Sequence, residues 1–418
     1  MPMDRRRLLL AATAAGLAPG LALAAPPMAR PEDVGFSSAK LGALDTEMQA
    51  LVDQQKLAGV TTLLSRHGKV VHFKSHGVAD LNSKTPLRND HIFRIASMTK
   101  PIVGVAMMQL YEQGKWKLDD PVEKHIPQFK GLKVKGPGGT LVDQTRPMTM
   151  GQLMSHSAGF DVSGAYDSAK IWDKDLQAMV GKLAGMPLAF QPGTDWRYGP
   201  SVDIQGYVVE QLSGMNLNDY LRAKVFRPLK MVDTGFYVTA ANAGRVVGMN
   251  TYKAGKIAPA PGADNPDWAP TKIPTLWSGS GGLFSTVEDY WRFCQMLQNG
   301  GQLEGVRILR KETAEMMRRN VLAPGVKVNL LGTPEAGIGF GMDFAVLLDP
   351  AARKSPLGVN SHYWGGAFGT WFWIDPANDL IFVGFIQNLN GTIPAFGTPP
   401  MREITPRIVY AALENPKA

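Results

Sequence analysis

"FRIASMTKPI", residues 93–102, places a serine and a lysine three positions apart, followed by a proline and the apolar run IVGVAMMQL at 102–110. Pro101 decides how the stretch is read. Proline has no N–H and is tolerated in the first turn of a helix but is costly further in. A helix therefore begins close to Ser97 and runs over 97–113, ended by Gly114. Ser97 and Lys100 then stand at i and i+3, on one face and about one turn apart. Ser97 also lies at the positive end of the helix dipole, among N–H groups with no partner in the helix, where a developing oxyanion is stabilised. A serine hydroxyl is a poor nucleophile at neutral pH and needs a base. A lysine serves where burial lowers its amine from about 10.4 towards neutrality, and the apolar run supplies a desolvating environment. The pair reads as nucleophile and base. The spacing by itself is not specific, since Ser37-Ser38-Ala39-Lys40 repeats it. There the serines read as helix caps and the lysine sits on a polar face.

Working outward, residues 37–55 have the pattern of an amphipathic helix started by Ser37 or Ser38. VTTLLSRHGKVVHFKSHG, 60–77, reads as two strands joined at His67-Gly68. Strand patterns return near the C-terminus in FGMDFAVLLD (340–349), SHYWGGAFGTWFWID (361–375) and LIFVGFIQN (380–388), before a last helix at 402–413. Between them lie helix patterns broken by Pro and Gly. Strands at both ends with helices between imply an α+β fold: one mostly antiparallel sheet built from both chain ends, covered by helices, with a mainly helical region inserted. The expected division is 25–120 with 290–418 as the α/β part and 121–289 as the insert. There is no internal repeat and no low-complexity segment.

Several further segments give the Ser-x-x-Lys stretch its company. In chain order they are GKWKLDDPVEKHIPQF (114–129), MTMGQLMSHSAGF (148–160), PLAFQPGTDWRYGPSVDIQGYVVEQLSG (187–214), VFRPLKMVDTGF (225–236), SGGLFSTVEDYWRF (280–293) and YWGGAFGTWFWID (363–375). Together they resemble the serine β-lactamase and penicillin-binding-protein superfamily, closest to the class C lactamase-like, family VIII, carboxylesterases. The resemblance covers nearly the whole chain after its first 24 residues and implies a β-lactamase/transpeptidase-like fold. It implies that Tyr198, in Tyr198-Gly199-Pro200, shares the proton of Ser97 with Lys100 and later protonates the leaving group. Pro200 stands where lactam-directed relatives carry an asparagine that holds an amide side chain. The third motif, usually Lys-[Ser/Thr]-Gly, matches Trp364-Gly365-Gly366, as in the family VIII esterases. The glycines let substrate approach the strand backbone, and the backbone N–H of Ala367 joins that of Ser97 in holding the oxyanion. β-Lactams and D-Ala-terminated peptides carry a carboxylate that the third-motif lysine helps to bind. A tryptophan there favours neutral, apolar substrates.

The resemblance thus implies an ester hydrolase acting through a Ser97 acyl-enzyme on a small-molecule substrate, with neither a metal nor an organic cofactor. The alternatives are a β-lactamase or D-Ala-type peptidase or amidase, an acyltransferase of the same fold, and a penicillin- or wall-binding protein that does not turn over.

The remaining features bound these readings. The chain has 418 residues, 44% hydrophobic and 19% charged, which is ordinary globular composition. Residues 1–24 read as a cleavable export signal: Arg5-Arg6-Arg7, a modest apolar stretch, then Ala22-Leu23-Ala24. The paired arginines point to the twin-arginine type and to the periplasm or beyond in a bacterium. No other run approaches membrane-spanning length. Net charge is +8, or +6 without Asp4 and Arg5–Arg7, and the rest is scattered, which argues against nucleic-acid binding. The one cysteine, Cys294, has helical apolar neighbours and reads as core. Ser280, in SGSGG at 278–282, mimics a nucleophile elbow but lacks its first glycine. His72 and His76 share a strand face rather than a metal-binding spacing, and His156 reads as structural. Trp371 and Trp373 share one strand face by period two, as acyl-pocket wall or as core.

Overall fold

The computed structural model describes residues 26–415, apart from 163, 173, 254, 263–264, 331–332, 390 and 392–397. The export signal read at 1–24 lies outside the described residues. Seven antiparallel strands form the main sheet: β1 (Gly59–Arg66), β2 (Lys69–Gly77), β3 (Ile338–Phe340), β4 (Ala345–Leu347), β5 (His362–Gly365), β6 (Trp371–Asp375) and β7 (Leu380–Phe385). Their order is β3-β4-β5-β6-β7-β1-β2. The two chain ends meet where β1 pairs with β7, from Thr61 opposite Phe385 to Arg66 opposite Leu380. The sheet is thus built from both ends of the chain, as the strand patterns require. FGMDFAVLLD, which reads as one strand, is two: β3 and β4 pair with Ile338 opposite Leu347. The break falls at Asp343, whose φ is +69°, a left-handed conformation that aspartate tolerates better than most residues.

Strands β1, β6 and β7 are buried along their whole length because helices cover both faces. The alternation of side chains across the pleat shows how. Trp371 sends its Nε1–H to Thr405 Oγ1, 3.3 Å away on the last helix, α5 (Met401–Ala412). Its neighbour Phe372 packs on Tyr290 of α4 (Val287–Gln298), ring centroids 5.2 Å apart. Helix α1 (Ser38–Asp53) joins α5 on the first face, and its start is capped by Ser37 Oγ, which accepts from Lys40 N–H.

Helix α2 (Thr99–Glu112) is the central element. Ile102, Val103, Val105, Ala106, Met107, Met108 and Leu110 are all buried, so it is apolar all round, as a helix enclosed on every side must be. Each such side chain contributes roughly 1.5–3 kcal/mol by leaving water. Among its neighbours is α3 (Ser201–Ser213), whose first nine residues are buried. Among the described residues no helix is long and apolar enough to cross a membrane, and no cluster of three or more His, Cys, Asp or Glu is placed to hold a metal ion.

Candidate active site

The chain enters α2 through a tight 3-10 turn, Ala96–Met98. Ala96 takes φ +45°, a left-handed conformation unusual for alanine, immediately before Ser97. Such strain persists only where the surroundings over-determine it, and here they do. Thr99 Oγ1 donates to Ala96 O at 2.7 Å and accepts from Leu283 N at 3.2 Å. Ile95 N–H donates to Leu283 O at 3.0 Å, and Tyr290 Oη donates to Met98 O at 3.0 Å. The result is a half-buried Ser97 at the N-terminal end of the helix.

Lys100 is almost fully buried. Its Nζ lies 3.2 Å from Ser97 Oγ and donates to Ser280 O at 2.7 Å. The third neighbour of the ammonium is the face of Tyr198, 4.4 Å from Nζ to the ring centroid. The Tyr198 hydroxyl is turned to Trp364, whose Nε1–H donates to it at 3.3 Å. The structure therefore brings Ser97, Lys100, Tyr198 and Trp364 together, with the Trp364 indole spent on Tyr198. Phe340 meets Trp364 edge-on at 5.4 Å and fixes that ring from behind.

Gly365 and Gly366 face opposite ways, and each is a glycine for a different reason. A Cβ on Gly366 would stand 2.3 Å from Ile95 O and 2.4 Å from Thr370 Oγ1, so the end of β5 presses against the backbone leading into Ser97. A Cβ on Gly365 would point to the α5 side, 2.0 Å from Nη2 of Arg402. Ala367 follows on an exposed turn, and its N–H has no acceptor among the described residues. Trp371 and Trp373 share the α5 face of the sheet, away from Ser97, so they do not wall the cleft at the serine.

The residues that steady Lys100 include one that the spacing argument missed. Asp203 of α3, fully buried, accepts from Ser278 Oγ at 2.8 Å and Ser280 N at 2.9 Å through Oδ1, and from Trp172 Nε1 at 3.1 Å through Oδ2. It fixes the Ser280 peptide, whose carbonyl holds the Lys100 ammonium. Ser280 contributes through its backbone: its hydroxyl is buried with no hydrogen-bond partner among the described residues. A signal for Asp203 was present in the sequence, a lone acid between Val202 and Ile204 in an apolar helix, five residues after Tyr198.

Two further buried groups stand behind the lysine. His156 packs on Tyr198, ring centroids 5.0 Å apart, and burial, aided by the Lys100 charge, holds its pKa well below the ordinary 6.5. Asp343 accepts from Gln205 Nε2 at 2.9 Å, and burial pushes its carboxyl well above the usual range. Its Oδ2 would lie 2.7 Å from a Cβ on Gly104, one turn beyond Lys100 on the same helix face. That approach accounts for a glycine in mid-helix, which costs about 1 kcal/mol against alanine.

A cleft of about 490 Å³ opens beside the 278–282 turn, walled by Trp172, Phe236, Trp268, Leu276, Phe284 and Phe368. Arg94 lies at its edge, its guanidinium 5.1 Å from the Phe284 ring centroid and donating to Trp268 O.

Comparison with known proteins bears on the fold that carries these residues. The family model described as Beta-lactamase matches residues 44–398. Protein Rv1367c of Mycobacterium tuberculosis is 32% identical over 357 residues, covering 82% of this chain and 88% of that protein. Esterase EstB of Burkholderia gladioli is 30% identical over 377 residues, covering 84% and 91%. Among solved structures, EstCE1, described as a hydrolase with promiscuous acyltransferase activity, superposes with a TM-score of 0.75 at 25% identity, covering 90% of this chain and 99% of that one.

Proposed function

Because the chain belongs to the Beta-lactamase family and carries its fold, we propose that it is a serine hydrolase, and within that class a carboxylesterase. The observation that carries the reading is the 3.2 Å contact between Ser97 Oγ and Lys100 Nζ at the head of α2. EstB, named an esterase, and EstCE1, described as a hydrolase, point the same way.

In the proposed mechanism Ser97 Oγ attacks the ester carbonyl as its proton passes to Lys100 Nζ, the base. Backbone N–H groups of Ser97 and Ala367 receive the oxyanion. The C–O bond to the alcohol breaks, and the alcohol leaves with a proton delivered through the Tyr198 hydroxyl. Water then attacks the acyl-enzyme, giving its proton back through Lys100 and Tyr198, and Ser97 is regenerated as the acid departs. Trp364 fills the place of a third-motif lysine and spends its N–H on Tyr198, which favours ester over anionic lactam substrates. An acyltransferase reading draws on EstCE1, described as a hydrolase with promiscuous acyltransferase activity. The proposal includes export, as the first 24 residues indicate.

The test is kcat/KM for p-nitrophenyl butyrate beside nitrocefin, with Ser97→Ala, Lys100→Ala and Tyr198→Phe. Each variant is expected to lose at least about 10²–10³-fold on the ester while remaining folded. Near-native turnover by folded Ser97→Ala would remove the proposal, and preference for nitrocefin would replace the esterase reading with a lactamase one.

A further inference from the structure

One wall of the cleft beside the 278–282 turn is linked to the lysine that faces Ser97. Trp172 lines this cleft, half-buried, together with Trp268, Leu276, Phe284 and Phe368. Local packing fixes its indole. The side chain of Ile171 is buried, the Ile171 N–H closes a turn on Tyr166 O at 3.2 Å, and the Tyr166 ring meets the indole edge-on with centroids 6.4 Å apart. An indole N–H can only donate, and Trp172 Nε1–H donates to Asp203 Oδ2 at 3.1 Å. Among the described residues no other group donates to that oxygen. The second oxygen, Oδ1, accepts from the Ser280 N–H at 2.9 Å, and Ser280 O accepts from Lys100 Nζ at 2.7 Å. A continuous path of three hydrogen bonds thus joins the cleft wall to the lysine. The turn that carries Ser280 has little room to absorb a shift. Its Gly279 lies so close to α3 that a Cβ would stand 2.4 Å from Val202 O, next to Asp203, and its own Gly282 N–H donates to Ser278 O at 3.0 Å.

We propose that Trp172 is a positioning residue that couples occupation of the cleft to the placement of Lys100. Its ring packs against the apolar body of the substrate, and its N–H, through Asp203 and the Ser280 peptide, sets where the carbonyl that holds Lys100 stands. An apolar wall without such a link acts on substrate binding alone, whereas contact made through this path acts on the rate of the bound complex. The inference rests on the Ser97–Lys100 pair of the proposed function, and not on which acyl compound that pair attacks.

The test is single-turnover acylation of Ser97 by p-nitrophenyl esters, which separates the rate at saturation from the half-saturating concentration. Trp172→Phe keeps an aromatic wall and removes the N–H. Its saturating acylation rate with p-nitrophenyl butyrate should fall about ten-fold, with the half-saturating concentration within about two-fold of native. Labelling of Ser97 by an alkyl fluorophosphonate should slow by a similar factor. Asp203→Asn sets one donor against another, and Trp172→Phe removes one of the two. The double variant should therefore acylate at least about three-fold faster than Asp203→Asn alone, whereas independent defects multiply. If Trp172→Phe fails to fold, the native protein carries the test: p-nitrophenyl 4-phenylbutyrate, whose body reaches further into the cleft than that of the acetate, should acylate at least about five-fold faster at saturation. Native acylation and labelling rates in folded Trp172→Phe, multiplied losses in the double variant, or a 4-phenylbutyrate advantage confined to the half-saturating concentration would each overturn the inference. Preference for nitrocefin, with labelling still slowed in Trp172→Phe, would overturn the esterase reading and support this one.

Discussion

Replacing Gly366 by alanine tests whether the end of β5 sets the position of Ser97. The added methyl would stand 2.3 Å from Ile95 O and 2.4 Å from Thr370 Oγ1. Ordinary contact needs about 3.4 Å or more, so something must move by about 1 Å. Ile95 cannot yield freely, because its N–H is bonded to Leu283 O and its carbonyl already accepts from Thr370 Oγ1 at 3.1 Å. The displacement therefore passes into Ala96, already at φ +45°, and on to Ser97. A 1 Å misplacement of a reacting group costs on the order of 10²-fold in rate, which is about 2.7 kcal/mol of transition-state stabilisation. Overpacking itself costs roughly 1–3 kcal/mol of stability. The expected outcome is kcat/KM for p-nitrophenyl butyrate down about 100-fold, with a Tm drop of only about 2–10 °C. Gly42→Ala is the control, since a Cβ there meets nothing within 4 Å; it should leave kcat/KM unchanged. A folded Gly366→Ala enzyme keeping more than half of native kcat/KM would refute the reasoning.

Three other perturbations probe different parts of the molecule. Asp203→Asn keeps an oxygen for Ser278 and Ser280 but turns an N–H₂ towards the Trp172 N–H, a donor facing a donor worth about 1–3 kcal/mol; kcat should fall about ten-fold with KM within two-fold, and an unchanged kcat would remove Asp203 from the positioning of Lys100. Ser280→Ala removes a hydroxyl that has no partner and leaves the carbonyl that holds Lys100, so steady-state kinetics should stay within about two-fold of native; a large loss would reopen Ser280 as a participant. Burial raises the carboxyl of Asp289 to about 7 from 3.8. The stability this gives is complete below about pH 3.8 and is lost as pH rises to about 7, at about 1.4 kcal/mol per pH unit. Asp233 N–H and Thr234 Oγ1 both donate to one oxygen, Oδ2, which asparagine reproduces. Calorimetric Tm between pH 5 and 7 should therefore fall more steeply for the native protein than for Asp289→Asn, and parallel curves would count against a neutral Asp289.

What could be read in the sequence was whatever local periodicity fixes. Pro101 restricts the helix start, and i, i+3 spacing does the rest, so the meeting of Ser97 and Lys100 needed no tertiary information. The same holds for β7, whose continuous apolar run LIFVGF marks a strand buried on both faces, whereas β1, GVTTLLSR, is buried as fully although it carries Thr61, Thr62, Ser65 and Arg66. The period of two put Trp371 and Trp373 on one face but could not say which, because that depends on α5, some 30 residues further on. The break between β3 and β4 was hidden by Asp343, a polar residue that reads as one position of an alternating strand and instead turns the chain. Ser280 illustrates the opposite difficulty. Its side chain drew attention as a candidate nucleophile, whereas its contribution is a backbone carbonyl, and backbone roles leave no mark in residue type.

The third motif shows how the two faces of one strand divide the work. A lysine at position 364 would bring a second cation close to Lys100 and Tyr198, ready for an anionic substrate. Trp364 brings an N–H instead, and the contact it makes is internal, to the Tyr198 hydroxyl. A neutral donor at that hydroxyl holds the phenol in place without adding charge beside the Lys100 ammonium, which already meets the phenol face at 4.4 Å. One residue along, the strand faces the other way, and there the cation is present: Arg402 lies against Gly365, with room for its guanidinium only because position 365 has no side chain. The cation beside this motif is therefore Arg402 at the start of α5 rather than a residue at position 364, and its charge still reaches Tyr198. An esterase that releases carboxylic acids gains from a neutral residue at position 364, because the free acid finds no third-motif lysine there to hold it. On this argument a Trp364→Lys enzyme should show stronger inhibition by 4-phenylbutyrate in steady-state turnover of p-nitrophenyl butyrate. An unchanged inhibition constant in folded Trp364→Lys would mean that charge at position 364 does not govern how the cleft treats acids.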